Sequence, residues 1–348
     1  MSTKLDDFMG KMLGDMGAVA SASLVLLGDK LGLYKALAED GPLDSANLAE
    51  KTGTTERYVR EWLAAQAASG YVEYDESTNQ FFLNDEQKAV FADENNPAYM
   101  AGAFYGLTSM FLDEPKITKA FRTGDGVAWG QHNECLFCGT EKFFRPGYMA
   151  NLTADWIPAL DGVEEKLKAG AKVADVGCGH GVSTAVMAKA YPKSTFIGYD
   201  FHEPSVIRAR EVAKEEGVTN VTFEVAAAKT YPGKDFDLVA LFDCLHDMGD
   251  PIGATTHVRS SLKPDGTLLI VEPFAHDELA KNLNPVGRMY YSFSTMICTP
   301  ASIAQEVGLA LGAQAGEKRL REVIEAGGFT RFRRATETPF SLILEARP

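Results

Sequence analysis

The sequence predicts an α/β protein: a parallel sheet wound by helices in the C-terminal part, preceded by a small, mainly helical part. Three observations carry this. From Val173 onward, short apolar runs alternate with helical stretches. The run VADVGCGHG, Val173 to Gly181, reads as a strand entering a glycine loop. Ahead of residue 95, three helical segments precede two short β-rich pieces.

Composition sets the limits. At 348 residues two domains are the natural prior, and 45% hydrophobic with 24% charged residues argues for folding. The formal charge of −14 argues against a nucleic acid or an anionic membrane as main partner. No apolar run approaches the roughly 20 residues of a membrane span. The start, MSTKLDDFMGKML, carries acids where a signal peptide would be positive. Five scattered cysteines do not suggest a disulfide framework. A cytoplasmic setting is expected.

In chain order, residues 17–38 carry an apolar stripe at helical spacing through Leu24, Leu27, Leu31, Tyr34 and Leu37. Gly41-Pro42 breaks it. LDSANLAEKTG is a short helix with Ser45 as N-cap and Gly53 past its end. TTERYVREWLAAQAASG is the next, and Tyr71–Tyr74 and Gln80–Leu83 flank the turn residues Asp75 to Asn79. Helix, helix, helix, hairpin is the order of a winged helix.

Electrostatics weigh against DNA on that winged helix. Val59, Trp62 and Leu63 face the core, and Arg57 and Arg60 have helical partners in Glu61 and Glu56. Residues 1–100 hold 8 Lys and Arg against 17 Asp and Glu, a net of −9, whereas phosphate contacts supply most DNA affinity. Pairing of two subunits is the role expected.

Residues 96–160 form a helical connector rich in aromatics, among them Phe104, Phe144, Tyr148 and Trp156. They are either core or the wall of a ligand pocket. Cys135-Leu136-Phe137-Cys138 has half a zinc spacing, and His132 would make a third ligand. A tetrahedral site needs four, so no metal and two buried thiols are expected.

The strand candidates are Val173–Val176, Thr195–Tyr199, Val221–Val225, Asp237–Phe242 and Thr267–Val271. Helices Val182–Ala190, Ser205–Glu216 and Gly253–Leu262 separate them. In such a sheet the ligand lies beyond the strands' C-terminal ends, where Gly177–Gly181 and Asp200 fall. A dinucleotide site would want G-x-G-x-x-G; here the glycines run G-x-G-x-G, with Asp175 two residues before them. No Lys or Arg lies between Ala174 and Val186. A carboxylate beside the loop repels pyrophosphate and suits an ammonium group. Asp200 is placed to accept ribose hydroxyls. An adenosyl group with a cationic amino-acid tail meets these demands.

The run D-x-G-C-G-x-G from Asp175, with Asp200 following, resembles the S-adenosylmethionine-dependent methyltransferases of the Rossmann-like class. Leu262 to Thr267 resembles the family's turn before its fifth strand and Gly327-Gly328-Phe329 that before its sixth; Phe340–Ala346 would be the seventh, antiparallel strand. The resemblance implies a seven-stranded sheet, six strands parallel and the last antiparallel, behind a winged-helix domain. It implies S-adenosylmethionine as cofactor and S-adenosylhomocysteine as product. In the implied site, Gly177 and Gly179 allow close backbone approach and Asp175 orients the amino group. Asp200 holds the ribose and Phe201 lies against the adenine. Cys178, Gly181, Ala227, Ala228, Phe242, Asp243 and Tyr148 complete the cofactor-facing set. Where many relatives carry an Asp for the adenine, this chain reads Ala226-Ala227-Ala228-Lys229.

Leu245-His246-Asp247-Met248-Gly249-Asp250 resembles the H-D-W-S-D stretch of small-molecule O-methyltransferases, in which the His is the base. Neutral imidazole suits that task near pH 7, while a structural His is the bland alternative. Asp247 either partners His246 or caps the following helix. Glu272 either orients His246 or the substrate, or is a buried structural acid. LGLYKALAEDGPLDSANLAEKTG resembles that family's winged-helix dimerisation domain. EKFFRPGY and the FDCLHDMGD run resemble a bacterial group of winged-helix methyltransferases, some labelled transcriptional regulators.

A long insertion, about 274–316, holds Arg288, Met289, Tyr291 and Met296. It is either a lid that with Phe144 and Tyr148 closes an apolar pocket, or plain helix packing. Arg288 either meets a substrate carboxylate or is solvated. The sequence thus predicts a dimerisation domain at 1–95, the connector at 96–160 and a cofactor-binding domain at 161–348. The expected activity is methylation of a small, mainly apolar or aromatic acceptor, oxygen first, by a homodimer away from membranes. The rival is a cofactor-sensing transcriptional regulator.

Overall fold

The computed structural model describes residues 3–348. They divide into two compact units: one runs up to Thr108 and includes Cys138–Pro146, and the other comprises Ser109–Phe137 and Gly147–Pro348.

The first unit opens with α1 (Lys4–Lys30), capped by a reciprocal box in which Thr3 and Asp6 satisfy each other's backbone N–H. Gly32, at φ 69°, ends the helix, and α2 (Leu33–Asp40) restarts in a new direction. The predicted single stripe over 17–38 is therefore two stripes. Tyr34 and Leu37 are buried with α2, while Leu27 and Leu31 are left exposed. In α3 (Ser45–Thr52) the N-cap is Asp44, which accepts from the Asn47 N–H at 2.8 Å, and not the expected Ser45. The hydroxyl of Ser45 instead donates to Glu56. In α4 (Glu56–Ala68), Val59, Trp62 and Leu63 are buried as expected, and Arg57 and Arg60 pair with Glu61 at 2.6 Å and Glu56 at 2.7 Å. The hairpin β1 (Glu73–Asp75) and β2 (Gln80–Phe82) completes the winged-helix order. Contrary to the sequence expectation, α1 is long and apolar enough to cross a membrane by length and composition alone. Folding joins an apolar C-terminal half to a Gly- and Met-rich N-terminal half in one helix.

The second unit is a seven-stranded sheet. Its strands are β3 (Lys172–Val176), β4 (Thr195–Asp200), β5 (Val221–Val225), β6 (Phe236–Phe242), β7 (Leu262–Pro273), β8 (Arg331–Glu337) and β9 (Ser341–Arg347). The order is β5-β4-β3-β6-β7-β9-β8, and β9 runs antiparallel to both neighbours, as the resemblance implied. The order reverses direction beside β3, so the ends of β3, β4 and β6 border one crevice. Central strands β6 and β7 are almost continuously buried, as strands covered on both faces must be. β7 begins at Leu262, earlier than predicted. The segment read as a turn pairs Leu262 with Phe236 across a register shift.

Candidate active site

The chain leaves β3 through Gly177, Gly179 and Gly181, all with positive φ (77°, 51° and 74°). The neighbouring strand pins this loop. The N–H groups of Gly177 and Cys178 donate to the Tyr199 carbonyl at 2.7 and 3.1 Å, and Gly179 N–H donates to Asp200 Oδ2 at 2.9 Å. A Cβ on Gly177 would lie 2.7 Å from Cys244 Sγ; one on Gly179 would meet nothing within 4 Å. The first glycine is demanded by packing below the loop. The second lies under open space.

Carboxylates surround that space. Asp175 is fully buried, and its Oδ2 accepts from Ser183 and Thr184 hydroxyls at 2.7 and 2.6 Å. Its Oδ1 has no hydrogen-bond partner among the described residues. Burial pushes its pKa up to about 6, against the pull of the two hydroxyls. Asp200 accepts from His202 N–H at 2.8 Å, and burial raises its pKa as well. Phe201 beside it is exposed. Past β5, Ala226 N–H donates to the Asp200 carbonyl, Ala227 and Ala228 follow, and Lys229 pairs with Asp250 and Glu306. An anionic ligand would meet buried carboxylates here. A cation is the charge that such a group of carboxylates favours.

Beyond β6, Asp243 takes positive φ (49°) and bonds Val271 through its N–H. Its Oδ2 accepts from the Tyr148 hydroxyl at 2.8 Å, and the Tyr148 ring lies 5.4 Å from that of Phe242. Burial, with Glu272 nearby, pushes the Asp243 pKa up to about 7.

Residues Leu245–Asp247 form one tight helical turn. Glu272 holds it twice: Oε1 accepts the Leu245 N–H at 2.9 Å, and Oε2 hydrogen-bonds His246 Nδ1. On the other side His246 Nε2 lies 3.2 Å from Asp247 Oδ1, and Cys298 Sγ stands close to both. Burial by itself would depress the imidazole pKa. The flanking carboxylates outweigh it and hold it well above its usual value. From behind, Gln305 and Ser302 donate to the carbonyls of Asp247 and Met248, each at 2.8 Å. The helix-capping alternative for Asp247 is overturned: Asp250 is the cap, accepting from Gly253 N–H at 2.8 Å.

The structure gathers Asp175, the loop, Asp200, Asp243, Tyr148, His246, Asp247 and Glu272 around the sheet's C-terminal edge. Within the helix Pro285–Phe293, Arg288 is exposed and Met289 and Tyr291 are half-buried. Met296 packs on a cluster of Leu136, Ile297, Cys298 and Ala313. Phe144 belongs to the first unit, its ring 5.0 Å edge-on from Phe143. The expectation of two buried thiols fails. A helix (Cys135–Asn151) starts at the CxxC, leaving Cys135 half-buried and Cys138 exposed. Sequence reasoning missed Cys298, Gln305 and the role of Tyr290, whose buried hydroxyl donates to the Phe340 carbonyl at 2.9 Å. It also missed Asp113, which holds His132; no local pattern links residues so far apart in sequence.

Comparison with known proteins adds two matches. Residues 167–328 match the model described as a methyltransferase domain, and 19–92 the model described as an Rv2258c-like winged HTH domain. The ubiquinone biosynthesis O-methyltransferase of Methylococcus capsulatus is 34% identical over 103 residues, 29% of this chain and 42% of that protein. The chain therefore spans less than half of that relative's length. Human N-acetylserotonin methyltransferase, solved in complex with SAM, superposes with a TM-score of 0.75 at 16% identity, over 100% of this chain and 99% of that one. An O-methyltransferase family protein from Burkholderia thailandensis gives 0.70 at 17%, over 100% and 99%. At such identities the likeness is one of fold.

Proposed function

We propose that this chain, which joins a methyltransferase domain to an Rv2258c-like winged HTH domain, methylates a small, mainly apolar acceptor, oxygen first, from S-adenosylmethionine. The carrying observation is the open glycine loop ringed by carboxylates, with the Glu272–His246 pair at the adjoining strand end. Bound there, S-adenosylmethionine would supply a methyl group activated on sulfur, leaving S-adenosylhomocysteine. Asp175, through its unpartnered Oδ1, suits the ammonium end. Asp200 keeps lone pairs for ribose hydroxyls, and Phe201 offers a face to the adenine. Tyr148 and Asp243 wall the site beside Phe242.

Glu272 keeps the Nδ1 proton of His246 in place, so the exchangeable proton is the one on Nε2, and the ring takes the acceptor's proton there once rising pH has removed it. The carboxylates then stabilise the imidazolium formed. The rest is positioning in a site emptied of water.

The remaining assignments are a homodimer in the cytoplasm, with residues 1–95 pairing subunits, 96–160 as the connector and 161–348 binding cofactor. Exposed Leu5, Met9, Met12, Met16 and Val19 on α1 recur at alternating spacings of four and three, the seam by which helices pair. The ion-paired Arg57 and Arg60 weigh against DNA.

Calorimetric titration tests the cofactor assignment. Micromolar binding of S-adenosylhomocysteine with no binding of NADH is expected; the reverse order would overturn the reading.

A further inference from the structure

The connector between the two matched segments holds a second buried histidine. His132 hydrogen-bonds Asp113 Oδ2 through Nδ1 at 3.1 Å, with 1% of its side chain exposed. Asp113 is fully engaged: Oδ2 also accepts Asn133 N–H at 2.8 Å, and Oδ1 accepts Lys116 Nζ at 2.7 Å. With Lys116 already neutralising that carboxylate, burial dominates and lowers the His132 pKa, so the ring stays neutral. The proton sits on Nδ1, facing the carboxylate. The lone pair therefore sits on Nε2, which has no hydrogen-bond partner among the described residues. A buried acceptor left unpaired costs stability and calls for an explanation.

Its surroundings supply one. His132 is within electrostatic reach of Asp247, and each carries the other's influence on its proton equilibrium. Trp129, three residues before it, and Leu136, four after, pack on the apolar cluster that contains Cys298 and Met296. Cys298 in turn stands against His246 and Asp247. Two carboxylate-anchored imidazoles thus border one apolar wall, each with Nδ1 tied back; His246 Nε2 faces Asp247 Oδ1 at 3.2 Å, whereas His132 Nε2 has no partner among the described residues.

We infer that His132 is a specificity-determining residue of the acceptor pocket, accepting through Nε2 a hydrogen bond from a group other than the one methylated. The acceptor is then a compound with two hydrogen-bond donors on an apolar frame, a dihydroxyaromatic being the simplest. This rests on the methyltransferase reading above. Neither matched family segment includes His132, so the device belongs to this chain's connector.

The test uses the full-length protein, labelled S-adenosylmethionine, the two naphthols and the isomeric dihydroxynaphthalenes. At least one dihydroxy isomer should show a kcat/KM at least tenfold above the naphthols, the order expected when a site's buried acceptor goes unpaired. In His132→Phe the ratio should fall to about one, chiefly through KM, and His132→Gln, which retains an acceptor, should restore part of it. Unchanged S-adenosylhomocysteine affinity reports intact folding. Equal use of naphthols and every dihydroxy isomer by the native protein overturns the inference, as does a preference that survives in His132→Phe. Cofactor binding with no transfer to any of these probes also rejects the acceptor class, leaving the methyltransferase reading in place. Absent cofactor binding would reject that reading itself.

Discussion

Glu272 Oε2 holds His246 Nδ1 by a hydrogen bond between side chains that are 2% and 4% exposed. The same carboxylate accepts the Leu245 N–H, so one acid fixes the histidine's tautomer and the backbone carrying it. Glu272→Gln keeps the size and loses the charge. We expect kcat to fall on the order of 10- to 100-fold with cofactor affinity unchanged, as for loss of a group that orients another. Equal losses in kcat and cofactor affinity would mean that Glu272 supports the fold and not the base.

The raised pKa of His246 sets the pH dependence. A base must be unprotonated, so kcat/KM should climb with pH from neutrality and level off above the raised value. The sign for stability is opposite. The imidazolium's contribution is complete below the unfolded pKa of about 6.5 and is lost as pH rises through the folded value. A pH–rate profile from 6 to 10 on the native protein and His246→Ala checks this. The rising limb should disappear in the variant.

Gly177 and Gly179 should respond differently to alanine. Gly177→Ala puts a methyl against Cys244 at positive φ, so unfolding midpoint and cofactor binding should fall together. Gly179→Ala meets no atom in the ligand-free loop, so beyond the strain of its own positive φ, which Gly177→Ala shares, it only fills the space above. Its loss should be mainly cofactor affinity, by tenfold or more. Thermal melts and titrations of the two variants separate the cases. Equal melting losses in both would contradict this description of the loop.

Much of this was legible because local signals agreed. The strand–loop–helix of Val173 to Ala190 is written in apolar runs and glycines, and the helix of Val182–Ala190 stands where the sequence put it. Asp200 and Glu272 could be named because they lie at strand ends, and His246 because it follows one by four residues; strand ends converge. Asp44 took the cap from Ser45 because the two neighbours have near-equal capping power and Ser45 found Glu56. Gly32 split a stripe that periodicity read as continuous. Cys298, Gln305 and Asp113 reach the site or its neighbours only through tertiary packing, and no spacing along the chain announces them.

The central claim is methyl transfer to a small molecule with His246 as base. Its most direct test incubates labelled S-adenosylmethionine and a metabolite extract with the native protein and with His246→Ala. The account predicts label in a small molecule with the native protein and at least a hundredfold less with the variant. Label transferred equally well by the variant would contradict the role of His246, and no label at all despite demonstrated cofactor binding would contradict the transferase reading.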